Sequence, residues 1–245
     1  MYLQSRIFAQ SFLAAAMLLV ASRNTLQAST IQAPVTFSNG SLFTGTGANN
    51  NHSGQDLLGA TVTAIMNGGP FTCTFDGSGQ CLSAGNFSAV ITPATSQTNS
   101  ANWIINNLRA AGTNAITSVS YDLAPAKAIF FICIDGSGNP TGGGCGGGKT
   151  AHSVSGGSTD SANAAYANGV AVDGSVAPFD HFTALSLSFT TSVVGGDDFQ
   201  FGASTIGVRT LVPGTPPPNV PEPATYALVG AALLGLGLVR HRIRT

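Results

Sequence analysis

Between residues 29 and 219 the chain has no glutamate and only four positive side chains, Arg109, Lys127, Lys149 and Arg209. Glu, Lys and Arg are the usual material of an exposed helix face, because their straight stems lose little freedom there. With so few of them, exposed helix is disfavoured throughout this stretch. Gly, Ser, Thr, Asn and Ala dominate instead, in short apolar runs divided by turn residues, and that pattern predicts an all-β domain. Nine aspartates, at 56, 76, 122, 135, 160, 173, 180, 197 and 198, stand against the four cations and leave a net charge of −5. A sparse, acidic surface argues against nucleic acid or an anionic membrane surface as partner, since both require clustered Lys and Arg.

Alternation locates the strands. Leu185, Leu187 and Phe189 fall on one face and Ser186 and Ser188 on the other. Residues 86–92 and 115–121 read as further strands, and 57–66 and 103–108 fit less cleanly. Residues 127–134 are apolar on both faces after Lys127, so they belong in the middle of a core. No stretch keeps a 3.6-residue apolar period. About eight strands over this length predict an antiparallel β-sandwich. Residues 142–165, rich in Gly and Ser, read as a long polar loop.

The two ends have a different character. Arg6 precedes an apolar run at 12–20 that is too short to span a bilayer and fits the core of a secretory signal peptide. Its cleavage follows either Ser22 or Ala28, and residues 1–28 are assigned to it. The working domain is then 29–212. A proline-rich spacer at 213–219 is extended and semi-rigid, because proline fixes φ and removes backbone donors. The segment 220–245 holds an apolar run at 227–239 and then Arg240, Arg242 and Arg244, a basic stop that stays on the cytoplasmic side. Export signal, exported domain, hydrophobic helix and basic stop together predict a type I membrane topology.

The run Val220-Pro221-Glu222-Pro223-Ala224-Thr225, followed by Tyr226-Ala227-Leu228, a Gly/Leu-rich segment and the arginines, resembles the PEP-CTERM sorting domain. The resemblance covers about the last 26 residues. It implies processing near Pro221-Glu222-Pro223 by an exosortase, a membrane-embedded cysteine peptidase of exopolysaccharide-producing Gram-negative bacteria. It further implies transient inner-membrane insertion, followed by release or attachment at the cell surface or in the extracellular matrix. Residues 103–108, 115–122, 180–189 and 199–202 also resemble a β-rich ectodomain common among exosortase substrates. In that group the last strand often runs into an acidic Asp-Thr-Asp stretch, where this chain has Ala203-Ser204-Thr205.

Four cysteines lie in two matching settings, each a strand, an Asp-Gly-Ser-Gly turn and a returning cysteine. An even count in an exported chain reads as disulfides. Three pairings are possible, and locality favours Cys73–Cys81 and Cys133–Cys145, each closing a hairpin. The spacings are too wide for the close Cys or His pairs of a zinc site. The Asp-Gly-Ser-Gly turns and Asp197-Asp198 offer oxygens to calcium, but lack the alternating acids and closing Glu of a dedicated calcium loop.

The histidines of the domain are His52, His152 and His181, and none sits in a metalloprotease pattern. Gly77-Ser78-Gly79 and Gly136-Ser137-Gly138 are turns between strands, so they lack the strand-to-helix context of a nucleophile elbow. Asp180-His181 opens a strand, and Trp103, Tyr121 and Tyr166 suit either a core or a sugar platform. The sequence therefore predicts a structural or interaction protein with no enzymatic activity and no cofactor, associated with extracellular polysaccharide. A glycan- or calcium-binding module and a polysaccharide hydrolase are the alternatives.

Overall fold

A computed structural model describes residues 28–38, 43–112, 114–132, 149–154, 156–173 and 180–214. The chain divides after Gly214 into two units, and the described residues all belong to the first. They form fourteen strands and three short 3-10 turns, at Gly54–Leu57, Thr98–Ser100 and Ala124–Ala126. Among the described residues no helix is long and apolar enough to cross a membrane. The domain is all-β, as the shortage of helix-forming charged residues requires.

The smaller sheet is antiparallel. It contains β5 (Gln80–Ser83), β6 (Phe87–Thr92), β7 (Asn102–Asn107), β10 (His152–Ser153) and β13 (Asp198–Gly202), in the order β10-β13-β7-β6-β5. The larger sheet contains β1 (Ala28–Ser38), β2 (Phe43–Asn49), β3 (Thr61–Met66), β4 (Gly69–Thr74), β8 (Ile116–Asp122), β9 (Ala128–Phe131), β11 (Gly156–Val172), β12 (His181–Val193) and β14 (Thr205–Pro213). This sheet is mixed, which corrects the expectation of a purely antiparallel fold. Both β1 and β2 run parallel to β11, with Phe37 opposite Tyr166 and Phe43 opposite Val170. They follow one another along the same long strand, so no tight turn in the sequence announces the pairing.

β10 and β11 also correct the polar loop expected at 142–165 where it is described, while 142–148 and 155 lie outside the described residues. In β11, Ala162, Ala164 and Tyr166 are buried, while Asn163 between them is exposed. Alanine against serine and asparagine gives little apolar contrast, so the alternation is faint in the sequence. Asn168 stands at φ 60°, a left-handed conformation that Asn tolerates better than most residues. It marks the change from the part of β11 that feeds one core to the part that feeds another.

The pairings of the larger sheet form a closed circuit. β11 bonds β12, β12 bonds β9, β9 bonds β14, β14 bonds β2, and β2 returns to β11. Ile129, Val170, Val172, Ile206 and Val208 form a small core on these strands. The main core takes Val62, Tyr121 and Leu185 from the larger sheet and Phe87, Trp103 and Phe199 from the smaller one. β9 serves both, with Ala128 and Phe130 in the main core and Ile129 in the small one. The apolar run around it does lie in the middle of the packing.

Trp103 is the centre of the main core. It is wholly buried, touches the rings of Tyr121, Phe130 and Phe201, and donates its indole N–H to the Ala203 carbonyl at 3.1 Å. Leu185 and Leu187 are buried on one face of β12, and Phe189 packs edge-on against Phe199. Asn107 is a buried polar residue that no sequence pattern marked. It donates to the carbonyls of Asn114 and Val193 and accepts from the Arg109 N–H.

Cys73 and Cys81 form a disulfide with Cα atoms 5.5 Å apart. The expected hairpin between the strands it joins is corrected, because β4 pairs with β3 and β5 with β6. The bond therefore staples the two sheets. Cys133 and Cys145 lie outside the described residues. Closing a loop with a sequence separation of 8 restricts the unfolded chain by about 2.5 kcal/mol. The double substitution Cys73→Ala/Cys81→Ala is expected to lower unfolding stability by roughly 2–3 kcal/mol. Denaturant titration followed by emission of the single tryptophan measures it, and an unchanged midpoint would contradict the stapling role.

Candidate functional site

The sorting residues Val220, Pro221, Glu222, Pro223 and Ala224 and the basic residues Arg240, Arg242 and Arg244 lie outside the described residues. The candidates inside the domain are dispersed. Trp103, Tyr121 and Tyr166 are all core, so they form no exposed sugar platform. Burial pushes the hydroxyls of both tyrosines well above the ordinary tyrosine range, and Tyr166 accepts the Ala151 N–H at 2.8 Å.

The aspartates of the suggested calcium turns have other partners. Asp76 accepts from the Ser78 hydroxyl at 2.6 Å, the Ser78 N–H at 2.8 Å and the Gln80 N–H at 3.2 Å. Those bonds hold its carboxyl below the usual carboxylate range and shape the turn between β4 and β5. Asp197 and Asp198 share a shallow concavity with Arg109, and Asp198 accepts from the Gln200 amide at 2.7 Å. Among the described residues no three His, Cys, Asp or Glu side chains converge as a metal site would require.

The histidines also separate. His181 is buried, stacks on Phe131 with ring centroids 5.0 Å apart, and has the carboxylate of its neighbour Asp180 against Nδ1. His152 lies over Gly202, where a Cβ would come within 2.5 Å of the ring, and its Nδ1 faces the Thr150 carbonyl at 2.9 Å.

His52 has a different setting. It follows β2, is 5% exposed, and forms the inner wall of a concavity of about 390 Å³. Its Nδ1 is 3.0 Å from the Thr205 hydroxyl, which is 2.9 Å from the Thr98 hydroxyl. Thr98 in turn accepts the Thr205 N–H at 2.9 Å. Two assignments satisfy this run with a neutral imidazole: Thr98 donates to Thr205 and Thr205 to Nδ1, or Nδ1–H donates to Thr205, Thr205 to Thr98 and Thr98 to the Thr205 carbonyl at 3.3 Å. Gly207 makes room for the ring, since a Cβ there would stand 2.9 Å from Cδ2 and 3.5 Å from Nε2 of His52.

The same concavity is lined by Asn49, Lys127 and Arg209. Lys127 ends the Ala124–Ala126 turn in a left-handed conformation, φ 50° and ψ 39°. Its N–H donates to the Ala124 carbonyl, and its carbonyl accepts the Val208 N–H at 2.9 Å. This bond draws Lys127 to β14, beside Arg209. The Arg209 stem lies across Gly47, whose φ is +68° and whose missing Cβ would meet Arg209 Cβ at 3.1 Å. Sequence reasoning missed this grouping, although the rarity of cations was the available signal: two of the four in the domain line one hollow.

Burial of His52 outweighs the attraction of Asp56 and depresses its pKa below the ordinary histidine value. Burial would raise Asp56, but the N–H and hydroxyl of Ser53 and the neighbouring His52 hold its carboxyl below the usual range. Between the depressed folded pKa of His52 and its unfolded value of about 6.5, the unfolded chain binds the extra proton. Stability conferred by the neutral ring is thus complete above about pH 6.5 and declines as pH falls through that window. Asp56 stays ionised there. Unfolding free energy is expected to fall below about pH 6.5 with a slope of up to ~1.4 kcal/mol per pH unit from this group. In His52→Gln that contribution should vanish, and an identical pH slope in the variant would refute the assignment.

No curated protein and no solved structure matches the chain. A family model for the PEP-CTERM protein-sorting motif matches residues 219–242. The chain therefore carries a PEP-CTERM protein-sorting motif at its C-terminal end, which implies an exported protein directed to the cell surface and processed by an exosortase.

Proposed function

We propose that this protein is a non-enzymatic β-sandwich ectodomain of an exopolysaccharide-producing Gram-negative bacterium. An N-terminal signal peptide exports it, and the C-terminal segment holds it briefly in the inner membrane. An exosortase cuts it near Pro221-Glu222-Pro223, and the released domain acts as a structural or interaction component of the cell surface or polysaccharide matrix. The sorting motif at 219–242 carries this reading, because it begins shortly after β14 ends at Pro213. The cut thus falls beyond the last strand of the folded domain. The placement of chemistry-bearing side chains supports a non-catalytic role: the large aromatics pack in the core, Asp76 shapes a turn, and Asp180 faces its own neighbour.

Of the two signal-cleavage positions, the one after Ser22 leaves β1 whole. Cutting after Ala28 would place a new ammonium on Ser29, whose side chain is buried and accepts the Gln200 N–H at 3.0 Å. Taking an ammonium out of water costs several kcal/mol, so the earlier cut is favoured. The intact mass of the protein from its producing host tests both ends. The expected chain starts at Arg23, ends near Pro221 and contains at least the Cys73–Cys81 bond. A chain that still carries residues 227–245 would overturn the sorting claim, and a start at Ser29 would overturn the choice of cleavage site.

A further inference from the structure

We propose that the hollow between β2, β14 and the Ala124–Ala126 turn binds the carboxylate of an acidic saccharide, through Lys127 and Arg209. The inference deepens the surface role proposed above and rests on it for the source of the ligand.

The charge distribution is the first observation. The domain has four cations, and two of them already have partners. Lys149 donates to the Asn99 carbonyl at 3.2 Å, and Arg109 bonds Asn86 and lies over the Phe71 ring. The other two, Lys127 and Arg209, are exposed and line one concavity. Among the described residues no carboxylate lies within ion-pairing distance of either. On a surface with nine aspartates, two adjacent cations without a carboxylate partner leave a local positive site. The two carboxylates that border the hollow are committed elsewhere, since Asp173 accepts the Gly47 N–H at 3.1 Å and Asp56 accepts from Ser53, and aspartates beyond about 8 Å are screened at physiological salt.

The backbone is the second observation. Lys127 occupies a left-handed conformation that glycine or asparagine would adopt more easily, at a cost of order 1 kcal/mol. Gly47, also left-handed, lies under the Arg209 stem, and Gly207 makes room for the His52 ring. Any side chain at these two glycines would fill the space that shapes the hollow. The chain thus places a charged residue where a strained backbone resists one, and glycine where a Cβ would obstruct the site.

The lining selects the ligand class. A guanidinium matches the two oxygens of a carboxylate, and an ammonium adds a point charge. His52, neutral, presents one further ring nitrogen, Nε2, as a hydrogen-bonding group on the inner wall, a donor or an acceptor according to its tautomer. The Asn49 amide oxygen accepts the Asn51 N–H at 3.0 Å, and its NH2 group can donate to a sugar hydroxyl. Ala126, half-buried, supplies a small apolar contact for a ring edge. A bare inorganic anion would use the cations alone. A uronate uses the whole lining.

The test compares the protein purified from its producing host with Lys127→Gln, Arg209→Gln and the double variant made in the same host. Calorimetric titration with a trimer of galacturonic acid is set against its fully methyl-esterified form and inorganic phosphate. The native protein is expected to bind the acidic trimer at least tenfold more tightly than the ester. The double variant should lose that preference, with each single variant intermediate. Tryptophan emission and thermal midpoint close to native show that the variants are folded. Equal binding of the acidic trimer by native protein and folded double variant overturns the site, as does an absence of binding by the native protein. Phosphate binding as tight as the trimer's overturns the saccharide assignment. Fractionation separates this from failure of the surface role. A protein that stays with the host polysaccharide despite the double substitution loses the site alone, whereas a protein never exported loses the role alone.

Discussion

The domain depends on the hydrogen bonding of β11. This one strand is paired with β12 along one edge and with β1 and then β2 along the other. Through β2 it closes the circuit that runs back by β14 and β9 to β12. The circuit pairs β2, β9 and β14 on both sides, and among the described residues the larger sheet keeps β1 and β4 as its edge strands. Closure also forces the contacts to be remote in sequence: the Ile31 N–H reaches the Ser153 hydroxyl across 122 residues, and Thr46 meets Thr210 across 164. Such pairings carry the entropy cost of closing long loops. The short Cys73–Cys81 loop has the opposite character. It is local, and it ties the two sheets at a place where no ladder joins them.

The shortage of charge decides how the surface is held. Hydroxyls and amides make the cross-strand bonds that ion pairs make elsewhere, such as Thr46 to Thr210, Thr63 to Thr72 and Asn106 to Ser88. These contacts are short-range and indifferent to salt, unlike surface ion pairs. The same economy gives the few charges their meaning. Arg109 anchors Asn86 and covers Phe71, and Lys149 anchors a carbonyl. Among the described residues the side chains of Lys127 and Arg209 make no such bond, and both line one hollow.

The legible part of the fold was the part that alternates strongly. Leu185, Leu187 and Phe189 announced β12, and the apolar run after Lys127 announced a strand buried on both faces. β11 was illegible because alanine faces the core at 162 and 164, where a larger residue would have signalled burial. The parallel pairing of β1 and β2 with β11 was illegible for another reason: no turn sequence encodes a partner more than a hundred residues away. The hollow around His52 shares that obstacle. Lys127 and Arg209 meet only because the Val208 N–H bonds the Lys127 carbonyl, and nothing local to either residue records this. The sorting motif lies at the other extreme, since its information is contained in a short run of residues and needs no tertiary structure to be read.

That difference links the two ends of the chain in time. β14 is an interior strand, bonded to β2 on one side and β9 on the other, and it is built from the last residues before the tail. Without it the circuit has two free edges and the small core of Ile129, Ile206 and Val208 has no wall. The domain therefore cannot close until residue 213 has crossed the membrane. By then the sorting motif, a few residues further on, is the next part of the chain to arrive. Pro213, the last residue of β14, adds no donor to a ladder and so marks where the described pairing stops.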